Sequence, residues 1–248
     1  MNLAGKNIKC IAFDLDHTVI NSDGTMSDAT RTVIEQAIAE GIEIVPVSGR
    51  AAEIGADHGQ ISAGVLAAGR AQKMLVCDIS AASLVKARRL FASLGWEERA
   101  DFCVADGLDG LDEPVDAILI AGMGSKTIEG ILERGREKLP GKRLILQPNP
   151  GVQHMRVWLS ENGWRIEAET LVFDEGRYYV ALRAAEGNEP LSLAQIWLGP
   201  RLLEHPTPLF GKYARHRLDC ARVERGEGAA EKIAMLEETV KELQAHGM

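Results

Sequence analysis

Long apolar runs are missing from this 248-residue chain. No window approaches the roughly 18 uninterrupted apolar residues that a membrane-crossing helix needs. The N-terminus lacks a basic region leading into an apolar stretch and a small-residue cleavage site, so the expectation is a protein kept in the cytoplasm, away from membranes. Cysteine is scarce as well. Cys10, Cys77, Cys103 and Cys220 stand singly, without a CxxC pair or a histidine spacing that would close a zinc site. That excludes a disulfide scaffold and leaves reduced thiols, with no metal site expected. No internal repeat and no low-complexity linker breaks the chain, and the dipeptide Gly-Asp occurs nowhere in it. An excess of positive charge is absent too: 28 Lys and Arg face 36 Asp and Glu, for a net charge of -8. A polynucleotide partner would therefore have to meet a local basic surface.

What is present reads as an ordinary folded α/β protein, with 46% apolar and 26% charged residues. The strand "IKCIAFDL", the helix "SDATRTVIEQAIAEG" with Ser27 as cap and Gly41 as stop, and the strand "IEIVPV" form one βαβ unit. The alternation then repeats through "RAAEIG", a helix from about Ser62, "KMLVCDI", "SAASLVKARRLFASLG", "ADFCVAD", "VDAILIAGM", "SKTIEGILERGREKL" and "RLILQP". Short apolar runs separated by amphipathic helices predict a parallel sheet covered on both faces. After "VQHMRVWLSENG" come two longer strands, "WRIEAETLVF" and "RYYVALRAAE", joined by "DEG" as an antiparallel hairpin. From Leu191 onward strands are no longer signalled, and Ile233, Leu236, Val240 and Leu243 form a helical stripe that wants the preceding helix as partner. The predicted organisation is a βαβ element over 1–50, a Rossmann-like sheet domain over 51–188 and an α-helical hairpin domain over 189–248.

One junction resists this reading. "EIVPV" and "RAAEIG" both look like parallel strands, yet only Ser48 and Gly49 lie between them, and parallel neighbours need a crossover of roughly a dozen residues. Either the two form one continuous or kinked strand or one is displaced. The chain resembles two α/β openings written in succession.

The chemistry-bearing residues gather at the predicted strand ends. Glu53, Gly55, Asp57 and Gly59 follow the first strand of the second opening, Asp78 closes the next, Asp106 the third, and Gly122 and Gly124 the fourth. In a wound sheet these ends line one crevice at the switch point. They also suit plain turns. Glycines permit close approach of a ligand, and a carboxylate at Asp78 can take ribose hydroxyls about 20 residues beyond the glycine loop. Pyrophosphate would be repelled by Glu53 and Asp57, whereas a sulfonium cofactor carrying a cationic amino-acid end would be welcomed. Two basic groups, Arg134 to Arg143 and Arg201 to Arg225, read either as solvated faces or as contacts to phosphate.

From about Val45 onward the chain resembles the bacterial methyltransferases that modify N1 of adenine at position 22 of tRNA. The resemblance is carried in order by "AAEIGADHG", "ADGL", "ILIAGMG", "LILQPN", "MRVWLSENGW", "EGRYYVALRA" and "LGPRLLEHPTPLFGKY". It implies a Rossmann-like methyltransferase sheet, S-adenosylmethionine as cofactor and tRNA as partner, with the oligomeric state open and a monomer as default. It implies that Glu53, Gly55, Asp57 and His58 form the cofactor loop, that Asp78 binds ribose with Ile79 beside it, and that Asp106 and Gly107 border the cofactor's adenine. Gly122 and Met123 would border the methyl-transfer centre, and Asn149 would hydrogen-bond the target base, unless it is a turn former between Pro148 and Pro150. Two departures lie near the expected substrate entrance: the family's "DHAYLP" is "DHGQIS" here, with Gln60 in place of the tyrosine, and an opening "LSKRL" helix is absent.

The N-terminal segment resembles Cof-type phosphatases of the haloacid dehalogenase superfamily. The "FDLDHT" stretch would supply Asp14 as nucleophile and Asp16 as acid/base, and Ser48 the phosphate-binding hydroxyl, although His17 replaces the commoner glycine. Such enzymes also need a phosphate-facing lysine and a late acidic pair that holds magnesium, usually after glycine. The missing Gly-Asp leaves that site half written. The expectation is thus a chimera: a methyltransferase carrying a haloacid-dehalogenase-like element, with a phosphatase or a cofactor-binding scaffold without turnover as the alternatives.

Overall fold

The computed structural model describes residues 49–174, 176–226 and 228–245. The predicted element over 1–50, with Asp14, Asp16, Ser48 and the "EIVPV" strand extension, lies outside these described residues apart from Gly49 and Arg50.

Among the described residues a seven-stranded sheet forms the centre, in the order β3-β2-β1-β4-β5-β7-β6. Its strands are β1 (Arg50–Ile54), β2 (Lys73–Asp78), β3 (Ala100–Val104), β4 (Ala117–Met123), β5 (Arg143–Pro148), β6 (Trp164–Asp174) and β7 (Arg177–Glu186). The first five are parallel, whereas β7 runs antiparallel to both β5 and β6. β1 pairs with β2 on one side and β4 on the other, so "RAAEI" is a central strand with both edges occupied. The chain winds outward from β1 to β3, then returns to build β4 and β5 on the opposite side. That reversal places the switch point between the tips of β1 and β4.

The crossovers are α1 (Gln60–Ala67), α2 (Ala81–Leu94), α3 (Ser125–Arg134) and α4 (Val152–Glu161). α1 starts two residues earlier than the sequence suggested, because Gly59 adopts a left-handed conformation (φ 69) that turns the chain directly into the helix. α2 is capped by Ser80, whose side chain accepts from the Ser83 amide, and stops at Gly95 (φ 68). Period-two alternation sends Met74, Val76, Leu119 and Ile145 to the face covered by Leu66, Leu84 and Phe91 of α1 and α2. Leu75, Cys77, Ile118, Ile120 and Leu146 face Ile128, Leu132 and Met155 of α3 and α4. Near-continuous burial of these strands is the signature of a parallel sheet covered on both sides.

Among the described residues four helices follow the hairpin: α5 (Leu193–Leu198), α6 (Pro200–Glu204), α7 (Pro208–Val223) and α8 (Ala229–Ala245). α7 and α8 pack on each other through Leu218 and Ala221 against Leu236, Val240 and Leu243, which pairs the predicted stripe with the predicted neighbour. The joint between the sheet and the first of these helices is fixed from inside. The guanidinium of Arg156 in α4 donates to Glu169 of β6 at 2.7 Å and to the Ile196 carbonyl of α5 at 2.9 Å, while Glu169 also accepts from the Arg201 amide. Trp197 of α5 lies under the Arg217 guanidinium at 5.0 Å and the Lys232 ammonium at 4.3 Å, tying α5 to both long helices.

Candidate active site

The carboxyl ends of the parallel strands are joined into one continuous rim. The amides of Gly55 (φ 72) and Ala56 donate to the Cys77 carbonyl at 2.9 and 3.0 Å, which folds the loop after β1 across the tip of β2. The Asp78 carboxylate then holds that loop from two sides. Its Oδ2 accepts from the Asp57 amide at 2.9 Å and its Oδ1 from the Ser80 amide at 2.7 Å. Each oxygen retains a second lone-pair direction for a further donor. Asp57 has a positive φ of 42, uncommon for a residue with a side chain, and its carboxylate pairs with the His58 Nδ1. On the far side of β2, the Ala105 amide donates to the Asp78 carbonyl at 3.1 Å, drawing the β3 tip into the same rim.

Toward the switch point the contact is by side chain. A β-carbon at Gly55 would come within 2.0 Å of the Met123 Cε, so the tips of β1 and β4 lie close here, and the left-handed backbone of Gly55 favours glycine. The rim continues through Met123, whose carbonyl accepts from the Asn149 amide at 2.8 Å, and through Pro150, whose carbonyl accepts from the Ser125 amide at 3.0 Å. Gly122 (φ 75) donates its amide to Gln147 Oε1 at 2.9 Å.

Most of the residues expected from sequence therefore share this rim: Gly55, Asp57, His58, Asp78, Gly122, Met123 and Asn149, with Ile79 beside Asp78. Ile79 is 71% exposed despite being apolar, and so is Val104 at 57%, directly across the β2–β3 ladder from Asp78. Together they offer an apolar surface beside the Asp78 carboxylate. Asp106 and Gly107 (φ 56) open the β3 end, but the Asp106 side chain turns outward to the Arg134 guanidinium at 3.2 Å. Glu53 behaves differently. It is only 2% exposed and points to the α1 face, where the Ser62 amide at 3.0 Å and the Ser62 hydroxyl both donate to its Oε2. Burial, reinforced by the nearby Asp78 and Asp57 charges against the Ser62 hydrogen bonds, pushes its pKa up to about 7. Glu53 thus supports the loop from beneath.

Sequence reading missed three participants. Ser62 could be found only once Glu53 was known to face α1. Val104 carried no signal of its own within the strand "ADFCVAD". Gln147 carried a legible signal, a polar residue inside the apolar run "LILQP"; it is 1% exposed, and its Nε2 has no hydrogen-bond partner among the described residues. The basic groups are largely engaged within the fold. Arg136 donates to Asn162, Lys138 to the Leu108 and Asp109 carbonyls, and Arg143 faces Glu167. Arg201 pairs with Glu189 and Glu204, and Arg222 with Asp219 and Glu237. Among the described residues, no group of three His, Cys, Asp or Glu is arranged to hold a metal ion, and no helix is long and apolar enough to cross a membrane.

Comparison with known proteins points the same way as this geometry. The tRNA (adenine(22)-N(1))-methyltransferase family model matches residues 51–245, and a haloacid dehalogenase-like hydrolase model matches residues 11–56. The tRNA (adenine(22)-N(1))-methyltransferase of Bacillus subtilis is 30% identical over 224 residues, spanning 83% of this chain and 94% of that protein. A Streptococcus pneumoniae protein described as a tRNA (m1A22) methyltransferase, crystallised with S-adenosyl-L-methionine, superposes with a TM-score of 0.71 at 28% identity, covering 77% of this chain and 91% of that one. The B. subtilis m1A22 tRNA methyltransferase structure superposes with a TM-score of 0.67 at 26% identity over 89% of this chain and 98% of that one.

Proposed function

The chain belongs to the tRNA (adenine(22)-N(1))-methyltransferase family, and from that premise we propose how its strand-tip rim serves the reaction. The protein is an S-adenosylmethionine-dependent enzyme that methylates N1 of an adenine in tRNA. Its residues fit that cofactor: Gly55 is a close approach that a side chain would fill, Ile79 and Val104 present apolar faces suited to a purine, and Asp57 and Asp78 are anionic where a cationic ligand would lie. Asp78 would hold the ribose, with Ile79 against the purine and Asp106 and Gly107 at its edge; Gly55, Asp57 and His58 would form the amino-acid end of the site. When bound, S-adenosylmethionine supplies an electrophilic methyl group on sulfur.

The remaining task falls to positioning. Adenine N1 carries its own lone pair, so no base need remove a proton before attack, and orientation carries most of the demand. N1 lies on the pairing edge of the base, so the target must be turned out of its stack. The Gly122–Met123 end of β4, held to Asn149 by a backbone hydrogen bond and followed by Ser125, which donates to the Pro150 carbonyl, would border the incoming base, and Asn149 would orient it. Glu53 acts through Ser62 and α1 as a support for the cofactor loop. In this reading residues 51–188 form the catalytic sheet domain and 189–248 a helical domain docked on it, with a monomer sufficient for activity.

The observation that carries this reading is the unbroken series of contacts along the rim from Ala105 through Asp78, Asp57, Gly55 and Met123 to Asn149. Incubation of the full chain with unmodified tRNA and methyl-tritiated S-adenosylmethionine tests it. Label recovered as N1-methyladenosine is expected; cofactor binding without transfer would leave only a cofactor-binding scaffold.

A further inference from the structure

The β6–β7 hairpin outruns its neighbour. β7 pairs with β5 at Leu144 to Leu146, yet its ladder with β6 continues as far as Asp174 opposite Arg177. Because β6 and β5 are both antiparallel to β7, they run in the same direction. The hairpin turn therefore projects from the edge of the sheet that carries Gly55, Asp78 and Met123, two strands beyond β5.

That projecting tip is aromatic. Phe173 and Tyr178 are cross-strand partners with ring centroids 4.6 Å apart, and Tyr178 continues onto Tyr213 at 5.3 Å and His216 at 5.2 Å in α7. Tyr213 is only 3% exposed and anchors the series, while Phe173 at its outer end is 47% exposed and His216 is also open to solvent. Lys212 is exposed four residues before His216, on the same side of α7, and makes no ion pair among the described residues. A single exposed ring is unremarkable on a protein surface. Here the rings are contiguous, held between hairpin and helix, and placed at the same end of the sheet as the rim.

The chemistry of the substrate gives such a surface a use. Turning an adenine out of its stack deprives its neighbours of a stacking partner, and an aromatic face can replace it whatever the base. Charge alone is a weak means of holding RNA in this protein. The net charge is -8, and Arg136, Lys138, Arg143, Arg201 and Arg222 are engaged within the fold. We propose that Phe173, Tyr178 and His216 form a stacking platform for an unpaired nucleobase of the RNA substrate next to the target adenine, with Lys212 facing the adjoining phosphate. This platform rests on the methyltransferase reading, since it presumes that RNA reaches the rim.

Stacking on a single aromatic side chain is worth about 1–3 kcal/mol per base, or roughly 5- to 150-fold in affinity. Phe173→Leu removes the ring and keeps an apolar side chain, whereas Phe173→Trp keeps a stacking surface. The expected result with unmodified tRNA is a rise of roughly tenfold or more in the Kd and KM for tRNA in Phe173→Leu. Calorimetry would give an unchanged Kd for S-adenosylmethionine, and Phe173→Trp would behave as the parent does. Equal tRNA affinity in Phe173→Leu and the parent overturns the platform. So does equal impairment of the leucine and tryptophan variants, which would mark a packing role, or a change confined to self-association in sedimentation, which would mark a protein contact. If the parent chain transfers no methyl group, the methyltransferase reading fails by itself, and the platform is then judged on tRNA binding alone by the same comparison.

Discussion

Arg156 and Glu169 face each other at 2.7 Å with neither side chain exposed to solvent. Gly199 packs directly against them, since a β-carbon there would meet Glu169 Oε2 at 2.5 Å and Arg156 Nη2 at 2.8 Å. This is the internal rivet between sheet and C-terminal helices. Removing one partner strands a buried charge, which typically costs about 3–5 kcal/mol. Arg156→Met should therefore lower the Tm by on the order of 10 °C, and Gly199→Ala should also destabilise, through its contact and its φ of 106. Differential scanning calorimetry checks both, and a Tm within a degree or two of the parent would contradict the rivet.

Glu53 should make stability depend on pH. Its pKa rises from 4.5 in the unfolded chain to about 7 in the fold, chiefly through burial. Below pH 4.5 the carboxyl is neutral in both states; between there and about 7 the folded chain keeps a proton that the unfolded chain has lost. Stability from this group is therefore fully present at low pH and is lost as pH rises through that window, by about 3 kcal/mol in total. Glu53→Gln preserves shape and removes the ionisation. Urea unfolding at a series of pH values should show the parent losing stability relative to the variant across the window; parallel curves would contradict the assignment.

Gln147 should matter more for turnover than for cofactor affinity. Its Oε1 receives the Gly122 amide, and Gln147→Leu would leave that partly buried donor without an acceptor at a cost of about 1–3 kcal/mol. The end of β4 bordering the target base would loosen while Asp78, at the β2 end of the rim, keeps both of its amide contacts. The expected outcome is a fall in kcat with a cofactor Kd within about twofold of the parent.

The sheet, the hairpin and the α7–α8 pairing were legible because each is written in local pattern: near-continuous apolar runs for β1, β2, β4 and β5, two longer strands flanking the turn "DEG" for β6 and β7, and spacings of three and four in α8. The candidate rim was legible because acids and glycines recur at four successive strand ends. What escaped was orientation across distance. Glu53 belongs to the strand-end series in sequence, yet the pleat turns it toward Ser62 on the α1 side, a fact that depends on which face each residue of β1 presents. Arg201 and Arg222 looked available for phosphate because one acidic partner of each, Glu189 and Glu237, is separated from it in sequence by 12 and 15 positions. The Arg156–Glu169 rivet was invisible for the same reason, as its components come from α4, β6 and the turn at Gly199.

The central claim is that the Asp78 carboxylate, already holding the Asp57 and Ser80 amides, is also where the cofactor binds. Isothermal titration of S-adenosylmethionine into the full chain and into Asp78→Ala tests it most directly, with circular dichroism to establish that the variant is folded. The account predicts saturable one-to-one binding to the parent and a loss of at least tenfold in affinity for the folded variant. Equal affinity in the two proteins, or no binding to the parent at all, would contradict it.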